Sequence, residues 1–447
     1  MPVDLPASHP PSDDGATTTD DPGPAEGIRW RSPLRGTWLT SVLGAVLLVG
    51  LPLVIVTGLL DYSAYGPRFG QAMPADVGWL RLPHFDWPTR PSWLFRVSQG
   101  LHVALGIALI PVILVKLWSV IPKLFTWPPI RSVAHALERV SLLLLVGGIL
   151  FQTVTGVLNV QYAYLFGFDF YTAHYFGAWV FTAAFVVHVI LKLPRMVAAL
   201  RSPPGRAGSR TDRSDTRPTS PEPEPEPEAE ADELVAPRPG PSTMSRRGLL
   251  ALTGGGSLLL AVTTVGQSLD GPWRRLAVLL PRGRQLDDGP NGFPVNRTAA
   301  AAGIRPADTG PDWRLELRDA AGRTVRLDRD QLLAMPLHTA RLPIACVEGW
   351  STLQTWTGVR LRDLAALAGV PEPTSALVRS IQRSGLFNKA TLQANQVLDG
   401  DSLLALRVNG VDLSADHGFP ARIIVPALPG VRCTKWVRAI EFRGPRR

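Results

Sequence analysis

Apolar side chains follow two patterns along this chain, and the change between them falls near residue 270. Before it stand long uncharged runs; after it, short stretches alternate apolar and polar positions. Residues 37–60 carry no charge over 24 positions. At about 1.5 Å per residue that crosses the roughly 30 Å of hydrocarbon in a bilayer. Comparable runs at residues 97–115, 140–168 and 170–191 predict three more transmembrane helices, and a shorter, glycine-rich one at 248–269 predicts a fifth. Beyond the change, residues 313–327 alternate around an Ala-Gly turn and predict a β-hairpin. Asp328 is a candidate cap for a short helix to Met335, and residues 361–368 read as another. Residues 378–381, 403–408 and 422–425 read as strands, so this part is of the α+β class.

The spans divide the chain into parts. Residues 1–36, rich in Pro, Asp, Thr and Gly, predict a disordered tail, since they hold too little apolar surface to offset the entropy of ordering. Residues 37–200 form a four-helix transmembrane domain. Residues 201–244 include a Pro-Glu alternation at 221–228, which favours extended polyproline II and repels itself, as a semi-rigid spacer does. Residues 245–270 open with Ser245-Arg-Arg-Gly-Leu-Leu250 directly before the fifth run. That is a twin-arginine export pattern, which would make the export machinery a partner; ordinary positive flanking is the alternative. No clear Ala-x-Ala site follows, so the helix is expected to stay as an anchor. Residues 271–447 make up the α+β domain.

Lysine and arginine set the orientation. Lys116, Lys123 and Arg131 lie between helices two and three, and Lys192, Arg195, Arg201, Arg206 and Arg210 follow helix four. Residues 159–173 have neither, and residues 61–92 balance Arg68, Arg81 and Arg90 with Asp61, Asp76 and Asp86. The expectation is a cytoplasmic N-terminus, a multi-pass protein of the cell's inner membrane, and an extracytoplasmic C-terminal domain. Composition agrees, since 45% hydrophobic residues is high for a soluble chain of 447. The net charge of +9 is scattered or flanks apolar runs, without an aromatic-basic motif, so nucleic acid is not an expected partner.

Four of eight histidines, His102, His135, His174 and His188, lie in or at the edge of the spans. An ionisable group at bilayer depth marks a functional position. His174 and His188 are fourteen residues apart, about 21 Å of rise and within roughly 40° of one helix face. Depth pairs His102 with His174 near the outer surface and His135 with His188 near the inner. This arrangement suits one or two bis-histidine b-type haems in a helical bundle; hydrogen-bonded core histidines are the alternative. A weak repeat relates the halves, with 56–60 matching 154–158 and Leu101-His102 matching Ala173-His174. Lys116 stands where the repeat would put another histidine, and Glu138 and Arg139 lie beside His135.

In Arg341-Leu-Pro-Ile-Ala-Cys-Val-Glu-Gly-Trp-Ser351, an apolar run precedes a cysteine and a glycine turn, as in a strand delivering a thiol to a loop. Such a thiolate suits a transition metal as a single protein ligand; a buried, small hydrophobe is the alternative. Cys433 is read as packing.

Cys346-Val-Glu-Gly-Trp-Ser351 and Trp356-Thr-Gly-Val-Arg-Leu-Arg-Asp-Leu364 resemble the molybdopterin-binding domain of the sulfite oxidase superfamily. So does a second block: Val408-Asn-Gly, His417-Gly-Phe-Pro-Ala-Arg422, Val425-Pro, Gly430-Val-Arg432 and Lys435-Trp436. The resemblance covers roughly residues 290–447. It implies that Cys346 ligates molybdenum and carries the catalysis, and that Asn296, Arg297, His417, Arg422, Arg432 and Lys435 hold the molybdopterin. Glu348, Trp350 and Ser351 replace the arginine-bearing segment of sulfite oxidases and plant nitrate reductases, which argues against sulfite. The form is closer to periplasmic protein methionine sulfoxide reductases. The membrane part resembles the cytochrome b subunits of bacterial formate dehydrogenases and hydrogenases. Together these imply a molybdenum oxidoreductase exchanging electrons with haem and the quinone pool, reducing a small-molecule or protein-bound S- or N-oxide. Oxidation feeding electrons to quinone, and an electron carrier or redox sensor without turnover, are the rival readings.

Overall fold

The computed structural model describes residues 34–69, 73, 75–77, 79–124, 132–201, 243–269, 271–279, 281 and 289–445. The expected disordered tail and nearly all of the Pro-Glu spacer lie outside the described residues. Among those described, five helices are long and apolar enough to cross a membrane. They are α1 (Thr37–Ala64), the pair α2 (Leu94–Ala108) and α3 (Ile110–Leu124) acting as one span, α4 (Val133–Val160), α5 (Phe170–Arg201) and α6 (Arg246–Val265). The break at Leu109 falls just before Pro111, whose ring removes a donor and clashes with the preceding turn.

The expected third span is shifted. α4 starts at Val133, where the Ser132 hydroxyl accepts from the His135 N–H at 3.1 Å, and stops at Val160 instead of Phe168. Its end is fixed by Tyr162 at φ +57° and by the Ala163 N–H donating back to Leu158 at 2.9 Å. The apolar residues after it form a loop in which Phe166 and Phe168 stack at 4.3 Å.

The C-terminal part is α+β, with two five-stranded sheets. One short pair precedes it: β1 (Asp76–Val77) with β2 (Leu80–Arg81). The expected hairpin is β3 (Leu315–Arg318) with β4 (Thr324–Leu327), and Asp328 caps α7 (Arg329–Leu333) by accepting from the Gln331 N–H at 2.8 Å. β5 (His338–Ala345) pairs antiparallel with β6 (Ser351–Arg360), which leads into α8 (Leu361–Leu367). Then come β7 (Ser375–Ser380), β8 (Lys389–Gln393), α9 (Ala394–Leu398), β9 (Leu403–Val408), β10 (Val411–Asp412), β11 (Arg422–Ile424) and β12 (Val437–Arg443). One sheet runs β10-β9-β6-β5 with β11 also on β9; the other runs β4-β3-β12-β7-β8, with β12 parallel to β3.

The α+β domain sits against one end of the helical bundle, where α1, α4 and α6 finish and α2 and α5 begin. Its hydrophobic core continues into that end, joining Leu342, Ile344 and Leu404 with Ala64, Tyr65, Trp87 and Phe95. Buried hydrogen bonds lock the seam. The Trp87 indole donates to the Ala427 carbonyl at 2.7 Å, and Arg432 donates to the Ala64 carbonyl at 2.9 Å. At the rim Arg90 reaches Asp399 at 3.1 Å and Asp401 at 2.6 Å.

Candidate functional site

β5 carries Cys346 to its end, and a tight loop returns the chain to β6. The Cys346 N–H donates to the Trp350 carbonyl at 2.8 Å and the Gly349 N–H donates to the Cys346 carbonyl at 3.0 Å. Gly349 has φ +94°, and a Cβ there would come within 2.6 Å of the Gln267 amide and 3.0 Å of Val103. Glycine thus lets the loop lie directly on α2 and the end of α6. The Cys346 thiol is buried, and burial, followed by the neighbouring Glu348 carboxylate, pushes it above its ordinary range. Only a bound cation would make a thiolate the stable form here.

Cys346 opens on a cleft of ≈ 300 Å³ whose lining includes Asn296, His417, Arg422 and Lys435. Arg422, only 3% exposed, donates to the carbonyls of His417 at 3.1 Å and Cys433 at 3.2 Å, and its Nε has no partner. Burial draws this guanidinium down to about 10. Lys435 donates to the carbonyls of Arg297 at 2.6 Å and Asp416 at 2.9 Å and lies 3.5 Å from Asn296 Oδ1. His417 stacks on Phe293 at 3.6 Å and its Nε2–H donates to the Phe293 carbonyl at 3.2 Å. Burial, then the positive Arg422 and Lys435, pulls it down to about 3, so it is neutral. A buried cation whose described partners are carbonyls, with one donor left over, is a place for an anion. These residues fit the phosphate end of a molybdopterin with Cys346 as the metal's protein ligand. No group of three His, Cys, Asp or Glu side chains able to hold a metal occurs among the described residues.

Of the sequence candidates, five therefore meet at this cleft. Arg297 stands at its rim, contributing a carbonyl to Lys435 while its side chain turns to the Ala301 carbonyl at 3.1 Å. Arg432 is not in the cleft. The turn from Pro429 to Cys433 sends its guanidinium to the seam, to the carbonyls of Ala64 and Thr391.

The loop after Cys346 is held by the helices below it, through its own main chain. Gln99 of α2 donates to the Val347 carbonyl at 2.6 Å, Gln267 to that of Glu348 at 3.2 Å and Ser268 to that of Gly349 at 2.5 Å. Arg274, fully buried, donates to the Ser351 carbonyl, and the Trp350 indole donates to the Tyr162 hydroxyl at 3.0 Å. None of these partners is marked by a motif; a buried Gln or Ser at a helix end leaves no signal in one sequence.

Beneath the loop lies a largely apolar cavity of ≈ 200 Å³, lined from α1, α2, α3, α4 and α5 and reaching Val347. His102 and His174 both line it, their ring centres 6.3 Å apart and their planes at 80°. The internal repeat holds them alike. Thr57 Oγ1 donates to the Leu53 carbonyl at 2.8 Å and so accepts from His102 Nδ1 at 3.3 Å, with the Val54 carbonyl at 3.0 Å also accepting. Thr155 Oγ1 donates to the Phe151 carbonyl at 2.7 Å and accepts from His174 Nδ1 at 3.0 Å. Both protons are thereby assigned to Nδ1, leaving each Nε2 as a bare lone pair. Two metal–nitrogen bonds of about 2.0 Å, plus roughly 1.1 Å from each nitrogen to its ring centre, would separate the rings by about 6.2 Å. The observed gap fits one shared metal. Gly58 and Gly156, next in the repeat, lie against the two rings.

His135 and His188 form no such ring pair among the described residues. His135 accepts from Arg139 at 3.4 Å, and the charged neighbours of His188 are Lys116, Lys192 and Glu138. The unlike residue of the repeat, Lys116, donates to the Thr40 carbonyl at 2.6 Å.

Residues 302–446 match the family model described as oxidoreductase molybdopterin binding domain. An uncharacterized oxidoreductase, YuiH, of Bacillus subtilis (strain 168) is 34% identical over 131 residues, 29% of this chain and 65% of that protein. The protein-methionine-sulfoxide reductase catalytic subunit MsrP of Gluconobacter oxydans (strain 621H) is 28% identical over 152 residues, 30% of this chain and 48% of that one. The sulfite oxidase of Arabidopsis thaliana is 33% identical over 100 residues, 19% and 25% respectively. The chain thus spans less than two thirds of the length of each of these relatives. The C-terminal domain is thus similar, over residues 302–446, to the oxidoreductase molybdopterin-binding domain, as found in relatives that include a sulfite oxidase and a protein-methionine-sulfoxide reductase catalytic subunit.

Proposed function

We propose that this chain is a molybdenum oxidoreductase of the cell membrane with its electron conduit built in, reducing an S- or N-oxide outside the cytoplasm at the expense of quinol. The observation that carries the reading is the His102–His174 pair: two Nδ1-protonated imidazoles at metal-sharing distance, in a cavity that reaches the residue after Cys346. When bound, molybdenum supplies two-electron oxygen-atom transfer and a b-type haem supplies one-electron transfer.

The chain's own residues would do the following. Cys346 holds the metal from the protein side, and Arg422, Lys435 and Asn296 hold the anionic end of the pterin. His102 and His174 take the haem iron, with Thr57 and Thr155 fixing their tautomers. The reading calls for one haem. The inner pair, His135 and His188, is left out because the two rings do not pair among the described residues: Arg139 donates to His135, and Lys116, Lys192 and Glu138 are the charged groups around His188. Orientation follows the charge pattern, with Lys192, Arg195, Arg246 and Arg247 at the bundle end away from the α+β domain.

The test is a metal and haem inventory of the purified, detergent-solubilised protein, followed by dithionite reduction and addition of sulfoxides and N-oxides. The expected result is molybdenum and one b-type haem per chain, with an oxide that reoxidises the haem. Cys346→Ser abolishes reoxidation and His102→Ala removes the haem absorbance. Haem that is reduced but never reoxidised by any oxide would leave an electron carrier in place of an enzyme.

A further inference from the structure

Asp61 carries a buried carboxyl group that the proposed chemistry does not use. It sits near the outer end of α1, is 4% exposed and lines the cavity that holds His102 and His174, with neither carboxylate oxygen hydrogen-bonded. Its neighbour Ser98 turns its hydroxyl to the Thr57 carbonyl at 3.4 Å. Four residues on, Tyr65 lines the same cavity, is 3% exposed, and its hydroxyl also has no partner. Positions i and i+4 share a helix face, so a bare acceptor and a bare donor stand side by side. Burying two unmet polar groups is costly unless a ligand meets them, and an ionisable side chain within a membrane span marks a ligand or ion site. The rest of the wall is mostly apolar, and Gly58, three residues before Asp61, touches the His102 ring. The pair therefore lies about one helical turn from the metal-sharing histidines.

We propose that Asp61 and Tyr65 form the polar end of a quinol-binding site, in the part of this cavity nearest the α+β domain. A quinol has the required chemistry: a flat apolar ring delivered from lipid, bearing a hydroxyl that donates to the Asp61 carboxylate and accepts from the Tyr65 phenol. This deepens the quinol-driven reading above and rests on it. It names the residues that face the donor, and it puts the donor on the same side of the bundle as the Cys346 loop.

The test is equilibrium binding of 2-heptyl-4-hydroxyquinoline N-oxide, a fluorescent quinol mimic quenched on binding, to the full-length protein in detergent, with haem content read separately from the reduced spectrum. The dissociation constant is expected to rise at least tenfold in Asp61→Leu and several-fold in Tyr65→Phe, with haem per chain unchanged. Asp61→Leu removes an unmet polar group, so its melting temperature should hold or rise. Should it fail to fold, Tyr65→Phe carries the test alone. Unchanged binding in both variants overturns the inference, as does loss of haem in step with loss of binding, which would make the pair part of the haem pocket. Probe binding that depends on Asp61 in a protein found to hold no haem would keep this site and sink the haem reading instead.

Discussion

Arg422→Met takes a buried cation out of the cleft while keeping much of its volume. In cofactor-free protein two effects oppose each other. Burial draws the guanidinium down to about 10, about two to three pH units below its ordinary value; at about 1.4 kcal/mol each, roughly 3 kcal/mol stands against the charge in the fold. On the other side are its bonds to the carbonyls of His417 at 3.1 Å and Cys433 at 3.2 Å, each about 1.5–3 kcal/mol for a charged donor. These largely cancel, so removal should shift stability by no more than about 3 kcal/mol. Cofactor binding has no such offset. Truncating one partner of a buried, hydrogen-bonded charge pair costs about 2–5 kcal/mol, which is roughly 30-fold to several thousand-fold in affinity. The assay measures molybdenum per chain by mass spectrometry and pterin by oxidation to a fluorescent derivative, beside a thermal melt of each apoprotein. Molybdenum and pterin should fall together at least tenfold while the fold survives. Arg422→Lys, which keeps the charge without the planar fork, should fall between. A methionine variant holding its full complement of both would refute the assignment of the cleft's anion to Arg422.

Further outcomes follow from the same geometry. Acidification acts through His417, which sits at about 3 in the fold because of burial and then Arg422 and Lys435, against about 6.5 unfolded. The unfolded chain therefore binds the extra proton between these values, so this group's contribution is complete above pH 6.5 and falls by about 1.4 kcal/mol per pH unit below it. Melts of apoprotein from pH 7 to 5 should show a shallower loss in His417→Gln. Thr155→Val takes the acceptor from His174 Nδ1 and should weaken haem retention about tenfold or more, read as haem per chain after dialysis. Trp87→Phe leaves the buried Ala427 carbonyl without its donor; it should cost about 1–3 kcal/mol and lower the melting temperature of the α+β domain.

How much of this was legible in the sequence depended on what kind of constraint each feature obeys. The five long apolar helices were visible as charge-free runs, yet their ends were not. α4 begins seven residues before the charge-free run because it contains Glu138 and Arg139, and Glu138 is met by Lys192 of α5 at 2.7 Å, a partner no window along one helix reveals. The repeat of Thr-Gly with histidine proved to be a structural unit, since Thr57 and Thr155 hold equivalent ring nitrogens. Cys346, His417, Arg422, Lys435 and Asn296 line one cleft because each sits on a strand end or turn aimed at it. Arg432 shared a motif block with them but leaves its turn on the other face; sequence adjacency gives proximity of backbone, and direction comes only with the turn.

The docking of the α+β domain was illegible for a different reason. The helices grip the carbonyls of Val347, Glu348, Gly349 and Ser351, and a carbonyl is the same in every residue. Side-chain identity in the loop bears on the dock mainly at Gly349, where a Cβ would meet Gln267 and Val103, and at Trp350, whose indole donates to Tyr162. Arg201, the last residue of α5, and Arg246, the first of α6, both stand at the bundle end away from the α+β domain. The same contacts that hold the loop set the separation of the two candidate redox sites. Gln99 donates to the carbonyl of Val347, the residue after Cys346, and His102 follows Gln99 by three residues on α2, so about 4.5 Å of helix rise lies between the loop's anchor and the histidine. In the proposed enzyme electron transfer would need no encounter between domains, and its rate should be indifferent to the spacer's length.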